Sequence, residues 1–207
     1  MKTSANLAQF VDLSTFPMHD FLHGLSHVRW RPAIFYGDFH HGTVKKYVDP
    51  DASRIRNHLD AGKPVNEWHV TLTSTSRKTP WANTDTHEWQ PTKDSEQFGR
   101  TLDWLRAQQA LQFLGRVTIF ISQSPREEPH IDWQTGSAEV DHRTDPVEFV
   151  WIGLGHKEME VNGQNIGNVC WFDNRELHRS ISTKDLSWSI RADGKFTDRI
   201  RRELFGS

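Results

Sequence analysis

From Arg116 to Arg191 the chain is a succession of short strand-length runs broken by turn residues. The run Arg116-Val117-Thr118-Ile119-Phe120-Ile121-Ser122 is β-branched and aromatic, and the run from Val147 to Leu154 is strongly apolar. Lys157 to Val161 alternates and ends in Asn162-Gly163, the pair that favours a two-residue hairpin turn. Asn168 to Phe172, Leu177 to Ile181 and Leu186 to Arg191 read as further short strands. Such short segments cannot bury themselves singly and must pair with one another around a shared core. The expected class is therefore mainly β with flanking helices.

Upstream, the patterning is mixed. Leu7, Phe10, Val11 and Leu13 fit a short helix or an edge strand, and Phe16, Phe21, Leu22 and Leu25 form an apolar segment. His19, His23 and His27 recur at helical spacing, but Pro17 and Gly24 interrupt the region and favour bystander histidines over metal ligands. Ala33–Tyr36 and Thr43–Val48 are strand-like around a turn containing His40 and His41. Asp49-Pro50-Asp51 starts a helix that Gly62 ends, and Glu67 to Thr73 alternates as a half-buried strand. Residues 74–95 read as a long loop carrying Trp81 and Trp89, of the kind that closes over a site. Ser95 to Leu114 is the clearest helix, with Phe98, Leu102, Leu105, Leu111 and Phe113 as its apolar positions and Gly115 as its stop. Thr197 to Leu204 is a short charged helix. With no repeat or linker, the expectation is one domain over 1–207, in which helices and supporting strands over 1–114 precede a core over 115–196.

Composition narrows the function classes. Twenty-five basic residues against 27 acidic ones leave a net charge of −2, which argues against nucleic-acid binding by the whole surface. Cys170 is the sole cysteine, so no internal disulfide forms. With no apolar run of leader or membrane length near Met1, the expectation is a soluble, cytoplasmic protein with no membrane partner. Nine tryptophans suit a β-rich core or an aromatic-lined pocket, and twelve histidines raise the chance of a metal site.

The chemistry concentrates in Pro129-His130-Ile131-Asp132-Trp133. Period two puts residues 130 and 132 on one strand face, so His130 and Asp132 can reach one ion together. A third ligand from a distant strand would complete a two-histidine, one-carboxylate facial triad with open positions, an arrangement suited to non-haem Fe(II) and O2. His178 fits that role best; His142, in a charged loop, and His156, in a turn, are its rivals.

This region resembles the Fe(II)/2-oxoglutarate-dependent oxygenase superfamily. The resemblance covers residues 116–191 and rests on His130-Ile131-Asp132, 45 intervening residues to His178, and 12 more to Arg191. Phe172-Asp173 ahead of the histidine is also family-like, and the texture is most similar to small prolyl- and asparaginyl-type hydroxylases. It implies a double-stranded β-helix (a jelly roll, cupin-like) in which His130, Asp132 and His178 hold Fe(II) and Arg191 pairs with the far carboxylate of 2-oxoglutarate. It also implies an O2-consuming hydroxylase, because Asp132 fills the position that a small residue takes in the halogenases of the superfamily.

Ser122, Ser124 and Ser189 are the candidate hydroxyls for 2-oxoglutarate. One departure stands out: some small hydroxylases place the arginine nearer the histidine, where this chain has Ser187 and Trp188. Lys184 and Arg179 are the nearby alternative cations, and an ion pair with Asp193 is the structural alternative for Arg191 itself. Arg116, Arg126 and the 74–95 loop are further candidates for the pocket. The expected substrate is a small molecule, such as an amino acid or a biosynthetic intermediate, with decarboxylation of 2-oxoglutarate to succinate and CO2. A protein side chain or nucleobase as substrate, and a cupin-like binding module without turnover, are the alternatives.

Overall fold

The computed structural model describes residues 2–39, 42–47, 67–74, 89–123, 127, 129–131 and 147–206, with the backbone alone for 32–47. The helix expected at Asp49–Gly62, together with Trp81, Ser124, Arg126, Asp132, Trp133, His142, His40 and His41, lies outside the described residues.

The protein is mainly β. An edge strand, β1 (Ser4–Asn6), precedes helix α1 (Met18–Leu25), the hairpin β2 (Arg31–Phe39) and β3 (Gly42–Tyr47), and β4 (Glu67–Thr71). The short pair β5 (Thr73–Ser74) and β6 (Gln90–Pro91) follows, then helix α2 (Gly99–Ala107) and the long strand β7 (Leu111–Ser122). After β8 (His130–Ile131) come β9 (Phe149–Leu154), β10 (Lys157–Val161), β11 (Gln164–Gly167), β12 (Val169–Phe172), β13 (His178–Ser182) and β14 (Ser187–Phe196). Helix α3 (Asp198–Phe205) ends the described chain. No helix among the described residues is long and apolar enough to cross a membrane.

Two ladders carry the architecture. One runs β12-β9-β14-β7 and the other β8-β13-β10-β11; β4, β2 and β3 join them, and β1 extends the first at its β12 edge. Neighbours within both ladders are antiparallel and, the β10–β11 hairpin aside, successive strands from β7 to β14 fall in alternate ladders. The β10–β11 hairpin turns as the sequence expects, with Asn162 (φ 49°) and Gly163 (φ 79°) both in the left-handed region that this tight turn requires.

Strand β14 shows how one sequence serves two interiors. Ile190 pairs with Ile119 and Ile152, and Ala192 with Val117 and Val150, so the even-numbered positions build an apolar layer. Helices α2 and α3 lie against β7 and β14. The odd-numbered positions Ser187, Ser189, Arg191 and Asp193 are buried as well, but polar. Buried polar groups are the informative exception in a protein interior, and they make this second face the candidate site.

Several expectations are corrected. The helix expected over Ser95–Leu114 is a 3-10 segment (Lys93–Phe98) followed by α2, which ends at Ala107. Gln108 is already extended, and residues from Leu111 join β7, where pairing with β14 overrides local helix preference. Gly115 therefore sits inside a strand and stops no helix. Strand β4 is buried on both faces, since Glu67 and His69 are covered along with Val70. Of the loop expected over 74–95, Ser74 and Gln90–Pro91 are strand residues and Lys93 onward is helical.

Gly153 carries a strict backbone requirement. A Cβ there would lie 1.9 Å from the Lys157 carbonyl oxygen. Gly153→Ala should lower stability by about 1–3 kcal/mol or more through forced separation of β9 from the start of β10. Thermal unfolding monitored by circular dichroism should show the lower midpoint.

Candidate functional site

The polar face of the first ladder and the inner face of the second enclose a cavity of about 30 Å³. Phe120, Trp151, Phe172, Ser189 and Arg191 line it from β7, β9, β12 and β14; His130, His178, Ser180 and Met159 line it from β8, β13 and β10. Glu67 and Glu127 complete the wall.

His130 and His178 stand directly opposite one another on adjacent antiparallel strands. Cross-strand partners point to the same side of a sheet, which brings the two rings together. Their centroids are 4.5 Å apart and both residues are almost wholly buried, at 2 % and 4 % exposure. His178 Nδ1 lies 2.8 Å from the Glu176 carbonyl oxygen. A carbonyl only accepts, so Nδ1 is the donor in this bond, and Nε2 is the ring nitrogen turned away from Glu176. Metal-ligating histidines are oriented by this kind of backbone bond.

The approach to His178 is also held. Asp173 Oδ1 accepts from its own turn: the Arg175 amide at 3.1 Å and Arg175 Nε at 2.8 Å. The Glu176 amide donates to the Asp173 carbonyl at 2.9 Å, and the Asn162 amide donates to the Leu177 carbonyl at 2.8 Å. The Phe172 ring packs 4.4 Å from the His178 ring, while Trp171 takes the opposite face of β12 and packs against Phe205. His156 is exposed in the β9–β10 turn. His19, His23 and His27 are partly or largely exposed on and just after α1, where His23 and His27 stack on each other away from the cavity.

Arg191 and Ser189 are neighbours on the cavity face of β14, two residues apart. The Arg191 guanidinium lies over the Phe149 ring at 4.0 Å, and its Nε donates to Asp193 Oδ1 at 2.8 Å. The ion pair considered for Arg191 at the sequence level thus exists, but it is buried. Among the described residues Ser189 Oγ is buried without a hydrogen-bond partner, an arrangement that a polar ligand would satisfy. Lys184 is exposed in the β13–β14 turn, and Arg179 pairs with Glu160.

Ser122 has a different place from the one expected. Its hydroxyl donates to Glu127 Oε1 at 2.8 Å and accepts from Lys157 Nζ at 2.6 Å, and it is not part of the cavity lining. Lys157, only 1 % exposed, also donates to Glu127 Oε1 at 3.2 Å. Glu67, Glu127 and Lys157 were not singled out from sequence. Lys157 had a signal: it heads an alternating strand whose other inward positions are Met159 and Val161. Glu67 likewise heads β4 in phase with His69.

Among the described residues no group of three or more His, Cys, Asp or Glu side chains is placed to hold a metal ion; Asp132 is outside that set. No protein-family model, curated protein or solved structure matches the chain.

Asp193, next to Arg191, is biased towards its charged form. Burial alone would raise its carboxyl, but the Arg116 and Arg191 guanidiniums outweigh this and hold it below the ordinary carboxyl value of 3.8. Its contribution to stability is complete above the unfolded value and is lost as pH falls through the depressed folded value. Acid unfolding of Asp193→Asn should therefore be less steep than that of wild type below about pH 4, read as the change in urea midpoint with pH. Separately, Lys157→Met removes the buried ammonium beside the Glu127 carboxylate and should cost about 3–5 kcal/mol, whereas the double change with Glu127→Leu should recover most of the loss. Urea titrations of the single and double variants compare the two.

Proposed function

We propose that this protein is an Fe(II)- and 2-oxoglutarate-dependent dioxygenase that hydroxylates a small molecule, such as an amino acid or a biosynthetic intermediate. The observation that carries the reading is the facing pair His130 and His178 in a buried cavity that also contains Arg191 and Ser189. The strand order supports it. Apart from the β10–β11 hairpin, successive strands from β7 to β14 fall alternately in two four-stranded ladders, as in a double-sheet jelly roll.

The residues present suit the cofactors. Two imidazoles, one oriented by its Nδ1 bond to the Glu176 carbonyl, are suitable donors for Fe(II). Asp132, two positions after His130 in the sequence, is the proposed third ligand. Ser189, with its unpartnered buried hydroxyl, and Arg191 suit the far carboxylate of 2-oxoglutarate. Ser122 is left out of this role, since Glu127 and Lys157 already hold it.

When bound, the iron would couple O2 and the decarboxylation of 2-oxoglutarate to insertion of one oxygen atom into a substrate C–H bond, the other appearing in succinate. The protein's own work is to hold and orient. Glu176 fixes the His178 ring, Phe172 packs beside it, and Phe120, Trp151 and Met159 supply apolar walls that limit water at the reacting centre.

The protein supplied with Fe(II), O2 and 2-oxoglutarate should form succinate, and more of it when a true substrate is added. His130→Ala and His178→Ala should each reduce turnover by about 100-fold or more. Arg191→Ala should raise the KM for 2-oxoglutarate by about 30-fold or more, as loss of a buried charged partner does. Full turnover by either histidine variant would refute the iron assignment. Binding of 2-oxoglutarate without any succinate from a broad substrate panel would point instead to a non-catalytic binding module.

A further inference from the structure

Strand β12 ends at Phe172 and β13 begins at His178, and the chain between them reverses through Asp173-Asn174-Arg175-Glu176. The Glu176 amide donates to the Asp173 carbonyl at 2.9 Å, which closes a β-turn with Asp173 in first place. The Asp173 side chain is buried. Its Oδ1 accepts from the Arg175 amide at 3.1 Å, the bond by which an aspartate fixes the chain two residues on, and from Arg175 Nε at 2.8 Å. Its Oδ2 accepts from Arg175 Nε at 3.0 Å and from Arg175 Nη2. The ends of the turn are tied as well. The Asp173 amide donates to the Thr3 carbonyl at 2.8 Å, and the Asn162 amide to the Leu177 carbonyl at 2.8 Å. Asn162 Nδ2 donates to Glu176 Oε2 at 2.8 Å. The Glu176 carbonyl, which leaves this turn, accepts from His178 Nδ1 at 2.8 Å.

We propose that Asp173 is a positioning residue for His178. By holding the Arg175 amide it sets the Glu176 carbonyl, and through that carbonyl the plane of the imidazole in the cavity. The inference rests on the reading of His178 as an iron ligand. Two physical points lead to it. A histidine side chain has two rotatable bonds, and a metal ligand must be oriented before the metal arrives. The bond to Glu176 restrains them, and the direction of that carbonyl follows from the peptide planes of the turn. The Asp173 carboxylate bonds within this same turn, so it acts on the turn's geometry.

Turn geometry and simple charge effects predict opposite ranks for two conservative substitutions. Asp173→Asn keeps a side-chain oxygen at the same distance from the backbone and gives up the charge. Asp173→Glu keeps the charge, and so the pairing with Arg175, but moves the carboxylate one methylene from its place against the Arg175 amide. Positioning through the turn predicts wild-type behaviour for the first and a defect for the second. An ion pair that only stabilises, or a negative charge that only attracts the metal, predicts the reverse.

The experiment has two readouts. In the metal-free protein the His178 Nδ1–H proton is followed by NMR, assigned by its absence from His178→Ala. Fe(II) affinity is measured on the same proteins by anaerobic calorimetry. We expect wild type and Asp173→Asn to share a protected Nδ1–H signal and a similar Kd for Fe(II). Asp173→Glu should lose or shift that signal and bind Fe(II) about tenfold or more weakly, as loss of an outer partner of a metal ligand does. Either variant decides the matter if the other does not fold. Weakened Fe(II) binding by Asp173→Asn, or an Asp173→Glu protein that keeps the wild-type signal or the wild-type affinity, would overturn the inference. Wild type that binds no Fe(II), with the Nδ1–H signal still lost in Asp173→Glu, would instead defeat the iron reading and leave the positioning of the ring standing.

Discussion

The structure depends on the burial of both faces of β14 and β7 in different company. Along β14 the side chains at Trp188, Ile190 and Ala192 enter an apolar layer, while Ser187, Ser189, Arg191 and Asp193 enter the space between the ladders. The apolar face needs only volume and close packing. The polar face is costly unless each group finds a partner, because a buried polar group without one loses its hydration uncompensated. Asp193 meets that demand for Arg116 and Arg191, and Glu127 meets it for Lys157 and Ser122. Among the described residues Ser187 and Ser189 each keep a hydroxyl without a hydrogen-bond partner, and that of Ser189 lies on the cavity. Structural economy would favour an apolar residue there, so the leftover hydroxyl is a reason to read the cavity as a ligand site.

Much of the β architecture was legible because the relevant signals are local. The Asn162-Gly163 turn, the apolar run of β9 and the alternation of β10 each depend on a few adjacent residues. The helix before β7 was misread for a corresponding reason. Leu111 and Phe113 fit a continuing helical stripe, and only their pairing with Phe196 and Lys195, more than 80 positions later, makes them strand. Glu67 and His69 read as a solvent face because alternation tells which residues share a side, not what covers that side.

The candidate site was legible in part. The meeting of His130 with His178 was inferred from residue type and spacing, and the β8–β13 register gives that juxtaposition its geometric basis. Arg191 and Ser189 share a face because they are two apart on a strand, which sequence conveys directly. Glu127 and Lys157 were missed because neither stands in a motif; their meaning arises only when Ser122, Glu127 and Lys157 are brought together from three segments. Ser122 precedes the histidine in the sequence, and in the fold its hydroxyl is shared between Glu127 and Lys157.

The most direct measurement is a crystal structure of the protein grown anaerobically with Fe(II) and 2-oxoglutarate, with the metal identified by anomalous scattering at the iron edge. The account predicts one iron peak ligated by His130, Asp132 and His178, and 2-oxoglutarate with its far carboxylate against Arg191 and Ser189. An iron-free cavity under saturating Fe(II), or 2-oxoglutarate bound with its far carboxylate away from Arg191, would contradict it.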